Sequence, residues 1–234
     1  MSTQTKATPK KPSKRKKTVS AEKAVIEAQR SFFKAGHTKS YNFRIDRLRK
    51  LAEVIKANEE AIIEALQKDF RKSPFETYAT EIGFVLGEIE HARSNLASWM
   101  GTKKVGGSWL NFPSGSYIYS EPYGVCLVLG AWNYPLQLTL GPLVGAIAAG
   151  NCAIVKPSEL AVNISSLMAK MINENFEEAH VKVLEGGKEV ATNLLKENLD
   201  YIFFTGSVRV GKIVMQAAAQ HLTPVTLELG GKSP

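Results

Sequence analysis

Residues 124–159 read GVCLVLGAWNYPLQLTLGPLVGAIAAGNCAIVKPSE, and this stretch decides the fold class. The 34 residues from 122 to 155 carry no charged side chain, which would also suit a transmembrane helix. Asparagine, proline and glycine residues divide the stretch, however, into a strand (124–130), a polar loop (131–135), a helix (136–150) and a second strand (151–159). Continuous apolar strands joined by a helix are what a parallel sheet covered on both faces requires.

The same alternation continues along the rest of the chain. Helices are predicted at 163–176, 188–197 and 208–220, and strands at 181–186, 201–207 and 225–229. Four or five successive βα units with right-handed crossovers predict an α/β fold, a Rossmann-like open parallel sheet with helices on both faces.

The first hundred residues have a different pattern, with apolar side chains three and four residues apart. This pattern predicts amphipathic helices at 21–36, 44–70 and 76–100. Residues 104–124 then change to glycine, serine and aromatic side chains, and the alternation in SYIYS (116–120) predicts turns and an edge strand. An N-terminal helical segment therefore precedes the sheet, and its sequence contains no recognisable catalytic or ligand-binding motif.

The net charge of +8 is concentrated at the N-terminus, where residues 1–19 hold seven Lys or Arg and no acid. The remaining 23 basic residues face 22 acidic ones, so the rest of the chain is close to neutral. Residues 1–19 have almost no apolar side chains and are predicted to be a disordered tail. The run KKPSKRKK could be a nuclear-import patch or attract anionic lipid or RNA, but a solvated arm without specific nucleic-acid binding is the favoured interpretation.

The two cysteines and the absence of a recognisable N-terminal targeting pattern favour a reducing, cytoplasmic location. Cys126 and Cys152 lie in apolar runs, which is typical of small core residues and not of a disulfide or a metal site, so no metal is expected. The N-terminus lacks the apolar region of a signal peptide and the arginine-rich amphipathic pattern of a transit peptide.

Ligands of such sheets bind at the carboxyl ends of the strands, and four of these ends carry unusual residues. After the first strand comes Trp132-Asn133, where the asparagine amide could stabilise an oxyanion, and where capping of the next helix is an equal alternative. After the second strand come Lys156 and Glu159, which could form a fork for a sugar diol or a simple surface ion pair.

The other two strand ends lie further along the chain. In FTGSVRVG (204–211), Gly206 stands at the turn into a helix that Ser207 can cap, which lets backbone approach a phosphate, although the spacing is not GxGxxG. Glu228 ends the last strand, just before a double glycine. A carboxylate at the end of an apolar strand is poorly solvated and suited to general-base work, and an exposed glutamate before a turn is the alternative.

Together these motifs resemble the aldehyde dehydrogenase superfamily, most closely its class 3 or fatty-aldehyde branch. The resemblance rests on GAWNYP (130–135), GNCAIVKPSE (150–159), FFTGS with Gly211, and LELGGK (227–232). It implies a cofactor-binding domain at 20–234, with a bridging or oligomerisation hairpin at about 105–121 and with the C-terminal catalytic domain absent. The implied activity is the oxidation of an aldehyde to a carboxylic acid with NAD as cofactor, or with NADP as an alternative.

The resemblance also implies roles for individual residues. Asn133 matches the oxyanion-hole asparagine, and Glu228 matches the general base. Lys156 and Glu159 match the pair that contacts the adenosine ribose, where a carboxylate favours NAD over NADP by repelling a 2′-phosphate. The implied cofactor-binding residues are Trp132, Lys156, Glu159, Gly206, Ser207, Val208, Arg209, Val210, Gly211 and Leu229.

The implied reaction needs a cysteine thiolate, and neither Cys126 nor Cys152 matches the nucleophile of the family. The expectation is therefore a partial chain that is inactive alone, from an enzyme that acts on aliphatic or fatty aldehydes and is a homodimer at full length. Membrane attachment would require a C-terminal anchor that this chain lacks, so an endomembrane-associated full-length form is the alternative to a cytoplasmic one. A non-catalytic dinucleotide-binding or dimerisation module is the second functional alternative.

Overall fold

A computed structural model describes residues 20–232, and a five-stranded parallel sheet lies at their centre. Along the chain the strands are β1 (Lys103–Val105), β2 (Ser116–Ile118), β3 (Val125–Leu129), β4 (Cys152–Lys156), β5 (Val181–Val183), β6 (Tyr201–Gly206) and β7 (Val225–Leu229). The central sheet has the order β5-β4-β3-β6-β7, whereas β1 and β2 form a separate antiparallel pair. The predicted disordered tail at residues 1–19 lies outside the described residues.

Helices cover both faces of the sheet, as the sequence predicts. They are α1 (Ala21–Lys34), α2 (Tyr41–Ala57), α3 (Glu59–Phe70), α4 (Pro74–Thr77), α5 (Gly83–Met100), α6 (Gln137–Ala149), α7 (Val162–Asn173), α8 (Lys188–Leu194) and α9 (Val208–Ala219). On one face α2, α3, α5, α6 and α7 form the larger apolar core, and on the other α1, α8 and α9 form the smaller one. Alternate residues of β3 enter the two cores: Val128 packs in the larger, and Leu127 and Leu129 pack in the smaller.

The strand order creates a switch point at the centre of the sheet. The chain runs from β3 outward through β4 to β5, and then returns to place β6 on the other side of β3. The connections therefore leave the carboxyl ends of β3 and β6 in opposite directions and open a crevice between them. Ligands of open α/β sheets bind in such a crevice.

Two details of the helical segment differ from the prediction. The single helix expected at 44–70 is two helices, because Asn58 leaves helical geometry (φ −114°, ψ 16°) and its side-chain amide donates to the Val54 carbonyl at 2.8 Å. The helix expected at 76–100 is interrupted by a π-helical turn, Tyr78–Ile82. Gly83 follows this turn, and a Cβ there would lie 3.0 Å from the Tyr78 carbonyl oxygen.

Gly130 allows α6 to approach the end of β3. A Cβ at this position would lie 2.0 Å from Thr139 Oγ1 and 3.1 Å from Thr139 Cβ. We expect Gly130→Ala to lower the free energy of unfolding by about 1–3 kcal/mol, because the helix must move outward. Urea denaturation would measure this loss. Gly87→Ala is the matched control, since nothing lies within 4 Å of a Cβ there, and it should be neutral or stabilising by up to about 1 kcal/mol. Equal stability of Gly130→Ala and the parent chain would contradict the close approach.

Among residues 20–232, no helix is long and apolar enough to cross a membrane. The uncharged stretch at 122–155 forms β3, α6 and most of β4 instead of a single long helix.

Candidate functional site

The four predicted site motifs lie along one edge of the central sheet, the edge formed by the carboxyl ends of its strands. Gly130, which follows β3, donates its N–H to the Lys156 carbonyl at the end of β4 (3.0 Å). On the other side of β3, the register of β6 and β7 pairs Gly206 with Leu229. From β4 to β7, the residues along this edge are therefore Lys156, Gly130 with the loop after it, Gly206 and Leu229.

The loop after β3 presents Trp132 and Asn133 to solvent at the switch point. Helix α6 begins at Gln137, and its N-terminus is capped by Glu81, which accepts from the N–H groups of Leu136 (2.9 Å) and Gln137 (3.0 Å). The alternative role of Asn133 as the cap of this helix is therefore wrong. Among residues 20–232 the Asn133 side chain has no hydrogen-bond partner, so its amide is available to a ligand.

Lys156 and Glu159 form an ion pair at the end of β4. Lys156 is buried, whereas the Glu159 side chain is 47% exposed. Partial burial would by itself raise the pKa of Glu159, but the hydrogen bond and the charge of Lys156 bring the pKa below its usual value. The Glu159 carboxylate is thus held ionised just beyond the end of β4, and its side chain remains accessible to solvent.

A cleft of about 260 Å³ lies directly beside this pair. Its walls are Pro157, Ser158, Glu159, Val162, Ser165, Glu185, Gly186 and Gly187. Gly186 has a φ of +136°, and a Cβ there would lie 2.4 Å from Val190 Cγ2, so the chain can follow this path only with glycine. The residues after β5 therefore form the second wall of a cleft whose first wall holds Glu159.

The turn from β6 into α9 is open to an anion. Ser207 caps the helix, accepting from the Val210 N–H at 3.4 Å, and the first turn of α9 contains no acid. The other long helices that start at this edge have carboxylate caps: Glu81 on α6, and Asp69 on α7, where it accepts from the Ile164 N–H at 2.9 Å. A helix N-terminus without a carboxylate keeps its positive dipole end for a ligand.

Gly211 joins this turn to the last strand. A Cβ at Gly211 would lie 2.7 Å from Leu229 Cδ2, so the first turn of α9 packs directly against the end of β7. The register of β6 and β7 pairs Glu228 with Thr205, so the predicted base lies beside the strand end from which this turn starts.

The predicted poor solvation of Glu228 is wrong. Its side chain is exposed, because in the described part of the chain β7 is an edge strand with a neighbour on one side only. The expectation treated VTLEL as a strand buried within the sheet, yet each of its residues is half-buried or exposed.

Neither cysteine belongs to this edge. In the register of β3 and β4, Val125 pairs with Cys152 and Cys126 pairs with Ala153, so the two sulfur atoms point to opposite faces of the sheet and cannot form a disulfide. Both thiols are buried, and burial raises the pKa of Cys152 to about 12 and that of Cys126 further. Within residues 20–232 no group of three or more His, Cys, Asp or Glu side chains is placed to hold a metal ion.

The sequence pattern described as the aldehyde dehydrogenase family matches residues 5–234. The chain belongs to the aldehyde dehydrogenase family. It is 50% identical over 205 residues to the 4,4'-diaponeurosporen-aldehyde dehydrogenase of Staphylococcus aureus, which covers 88% of this chain and 45% of that protein. It is 46% identical over 209 residues to aldehyde dehydrogenase family 3 member A2 of Pongo abelii, covering 89% of this chain and 43% of the other. The predicted class 3 resemblance is confirmed.

Solved aldehyde dehydrogenases share the fold. The substrate-bound AldH of Staphylococcus aureus is similar with a TM-score of 0.88 and 48% identity, over 90% of this chain and 46% of that chain. A mutant of aldehyde dehydrogenase C from Pseudomonas syringae, complexed with NAD+ and octanal, is similar with a TM-score of 0.78 and 29% identity, over 90% and 42%. The predicted fold class is confirmed, and the chain spans less than half the length of these aldehyde dehydrogenases.

Residues of this aldehyde dehydrogenase chain that support the site were missed by sequence reasoning. Lys72, Glu81 and Asp69 belong to the helical segment in which no chemistry was expected, yet they hold the starts of α6 and α7. One signal was available for Glu81, because it precedes Val85 by four residues and so places an acid on the buried stripe of its helix.

Proposed function

We propose that this chain binds NAD(P)+ and forms the cofactor-binding part of an enzyme that oxidises an aldehyde to a carboxylic acid. The observation that carries the proposal is the convergence of the family's motifs at the switch-point edge of the sheet, in a chain that belongs to the aldehyde dehydrogenase family. The related aldehyde dehydrogenase C from Pseudomonas syringae has been solved with NAD+ and octanal, which supports this cofactor.

The residues at this edge fit a dinucleotide in their chemistry. Glu159 offers a carboxylate to a ribose diol at the rim of the cleft, and buried Lys156 fixes that carboxylate. The acid-free start of α9, with Ser207, Val208, Arg209 and Val210 in its first turn, suits a pyrophosphate. Gly206 stands at the turn into this helix, and a Cβ there would lie 2.5 Å from Phe204 Cζ, so the close packing of this ring requires glycine. Trp132 and Leu229 flank the crevice between these two ends.

When bound, NAD(P)+ would accept a hydride from the substrate. We assign the side-chain amide of Asn133 to the developing oxyanion, because it is exposed at the crevice and free of other partners. We assign Glu228 to proton removal from water, since its exposed carboxylate stands at the end of β7, beside the end of β6.

Calorimetric titration of the 234-residue chain tests cofactor binding. We expect Lys156→Met to weaken NAD+ binding by about tenfold or more, because Glu159 loses the cation that orients it. We expect Glu159→Gln to weaken NAD+ binding less and to reduce the preference for NAD+ over NADP+, because the repulsion of a 2′-phosphate disappears.

Glu178→Gln is the matched control for these variants, because it breaks a Lys–Glu pair between exposed Glu178 and half-buried Lys182 that does not line the cleft. It should leave both titrations unchanged. Failure of the parent chain to bind either cofactor would overturn the proposed function. Equal affinities for the parent, Lys156→Met and Glu159→Gln would remove this pair from the cofactor site.

For the substrate, partner and location we propose an aliphatic or fatty aldehyde, a homodimer at full length, and the cytoplasm or an endomembrane surface. The segment from β1 through β2 to Tyr119 supports a dimerisation or bridging role, because its strands and their connection expose a group of large apolar side chains: Trp109, Leu110, Phe112, Tyr117, Ile118 and Tyr119. The hairpin begins at Lys103, two residues before the predicted boundary at about 105.

A further inference from the structure

We propose that the buried ion pair of Lys72 and Glu81 is a positioning device that fixes the loop after β3 so that the Asn133 amide faces the crevice. This inference rests on the proposed function, in which that amide meets the oxyanion. Lys72 and Glu81 are both buried beneath the loop, so they would act through the loop and not on the substrate.

Lys72 holds the first half of the loop. Its ammonium group donates to Glu81 and to the Asn133 carbonyl, the latter at 3.1 Å. It also lies 4.1 Å from the centroid of the Tyr134 ring, a cation–π contact. Two hydrogen bonds and one cation–π contact thus surround the ammonium group of Lys72. Its attachment to the backbone oxygen of Asn133 leaves the side chain of that residue free.

Glu81 holds the second half of the loop. One carboxylate oxygen accepts from Lys72, and the other accepts from the N–H groups of Leu136 (2.9 Å) and Gln137 (3.0 Å). These two amides are at the start of α6, and the loop supplies no N-cap side chain for them. The Glu81 carboxylate therefore acts as the N-cap of this helix. The pair thus contacts the backbone or ring at four of the five residues from 133 to 137.

The π-helical turn explains how Glu81 reaches this position. A wider turn at Tyr78–Ile82 rotates the helix locally, and Glu81 is fully buried within it. Burying a Lys–Glu pair contributes little net stability compared with an apolar pair, because both charges lose their water. The benefit of this pair is therefore the geometry of the loop that it fixes.

Native-state amide exchange of the 15N-labelled 234-residue chain, without cofactor, tests the inference. We expect Glu81→Gln to speed exchange at the Leu136 and Gln137 amides by at least about tenfold relative to amides in β3 and β4, and to shift the Asn133 side-chain amide resonances. We expect Lys72→Met, which leaves the α6 cap in place, to shift the Asn133 resonances while Gln137 stays protected. Glu178→Gln, which breaks the ion pair of exposed Glu178 with half-buried Lys182, should change neither.

A purely structural role would give a different pattern. If the pair only stabilised the fold, exchange would rise by the same factor throughout the sheet, and the apolar double variant K72M/E81L would restore the parent values at Leu136 and at the Asn133 side chain. Either result would overturn the inference, as would unchanged exchange in both single variants. Cofactor titration of the parent chain is independent of this measurement, so failure of the proposed function would be recognised separately.

Discussion

The two thiols of the folded chain should react with Ellman's reagent about 1000-fold more slowly at neutral pH than those of the unfolded chain. The thiolate is the reactive form, and burial raises the pKa of Cys152 from 9.0 to about 12, which leaves about a thousandth of the thiolate. Cys126 is shifted further in the same direction, by burial first and then by the nearby Asp200 carboxylate. Exclusion of the reagent from the interior of the sheet adds to both effects.

The same argument predicts that the 234-residue chain alone forms no NADH from NAD+ and an aliphatic aldehyde. It contains two cysteines, and neither can supply a thiolate at the edge where Asn133 and Glu228 stand. Absorbance at 340 nm measures the activity, and urea-unfolded protein is the control for thiol reactivity. Steady NADH formation, or rapid modification of a thiol in the folded chain, would show that one of these strands opens far more readily than the structure implies.

Acid should destabilise the fold through His180, by about 3 kcal/mol between pH 7 and pH 4. His180 is buried among aromatic rings, with its centroid 4.9 Å from Phe43 and 6.1 Å from Phe32. Burial lowers its pKa from 6.5 to about 3, the charge of Arg47 lowers it too, and the backbone of Asn151 opposes both. The unfolded chain therefore binds a proton below pH 6.5 that the folded chain does not bind until about pH 3, and stability is lost as the pH falls through this window.

Urea denaturation at several pH values measures this loss. The variant His180→Leu, which keeps an apolar side chain of similar size, should lose about 3 kcal/mol less than the parent between pH 7 and pH 4. Exposed His91 provides the matched control, and His91→Gln should follow the parent chain. Carboxylates such as Glu159, whose pKa is lowered in the fold, also reduce the free energy of unfolding in acid, and they do so in all three proteins. The difference between the parent and His180→Leu therefore isolates the contribution of His180. Parallel curves for the parent and His180→Leu would contradict the prediction.

The sequence predicts the sheet well because its signals are local. The apolar runs of β3 and β4 with an intervening helix, and the turn at Gly206–Ser207, are each contained in a few consecutive residues. The motifs that follow these strands must lie at one edge of the sheet, because parallel strands have their carboxyl ends on the same side. This placement can be predicted without knowing any long-range contact.

Other features depend on contacts between distant residues and could not be predicted. The exposure of Glu228 depends on where β7 lies in the strand order, which an apolar run does not specify. Glu81 caps a helix 55 residues further along the chain. From the sequence alone, Asn133 is as good a candidate for the cap of this helix as for an oxyanion site. Sequence rules for helix caps consider only the few residues next to the helix start, so they cannot identify a cap that comes from a distant helix.

The carboxylate caps of α6 and α7 bear on how this α/β unit could be shortened or transplanted. A protein engineer who grafted only the alternating strands and helices from residue 124 onward would leave behind Asp69 and Glu81, and with them the caps of α6 and α7. Two more positive helix ends would then face the crevice and compete with α9 for phosphate. The smallest portable unit therefore includes the helices that precede the sheet, since they determine where an anion does not bind.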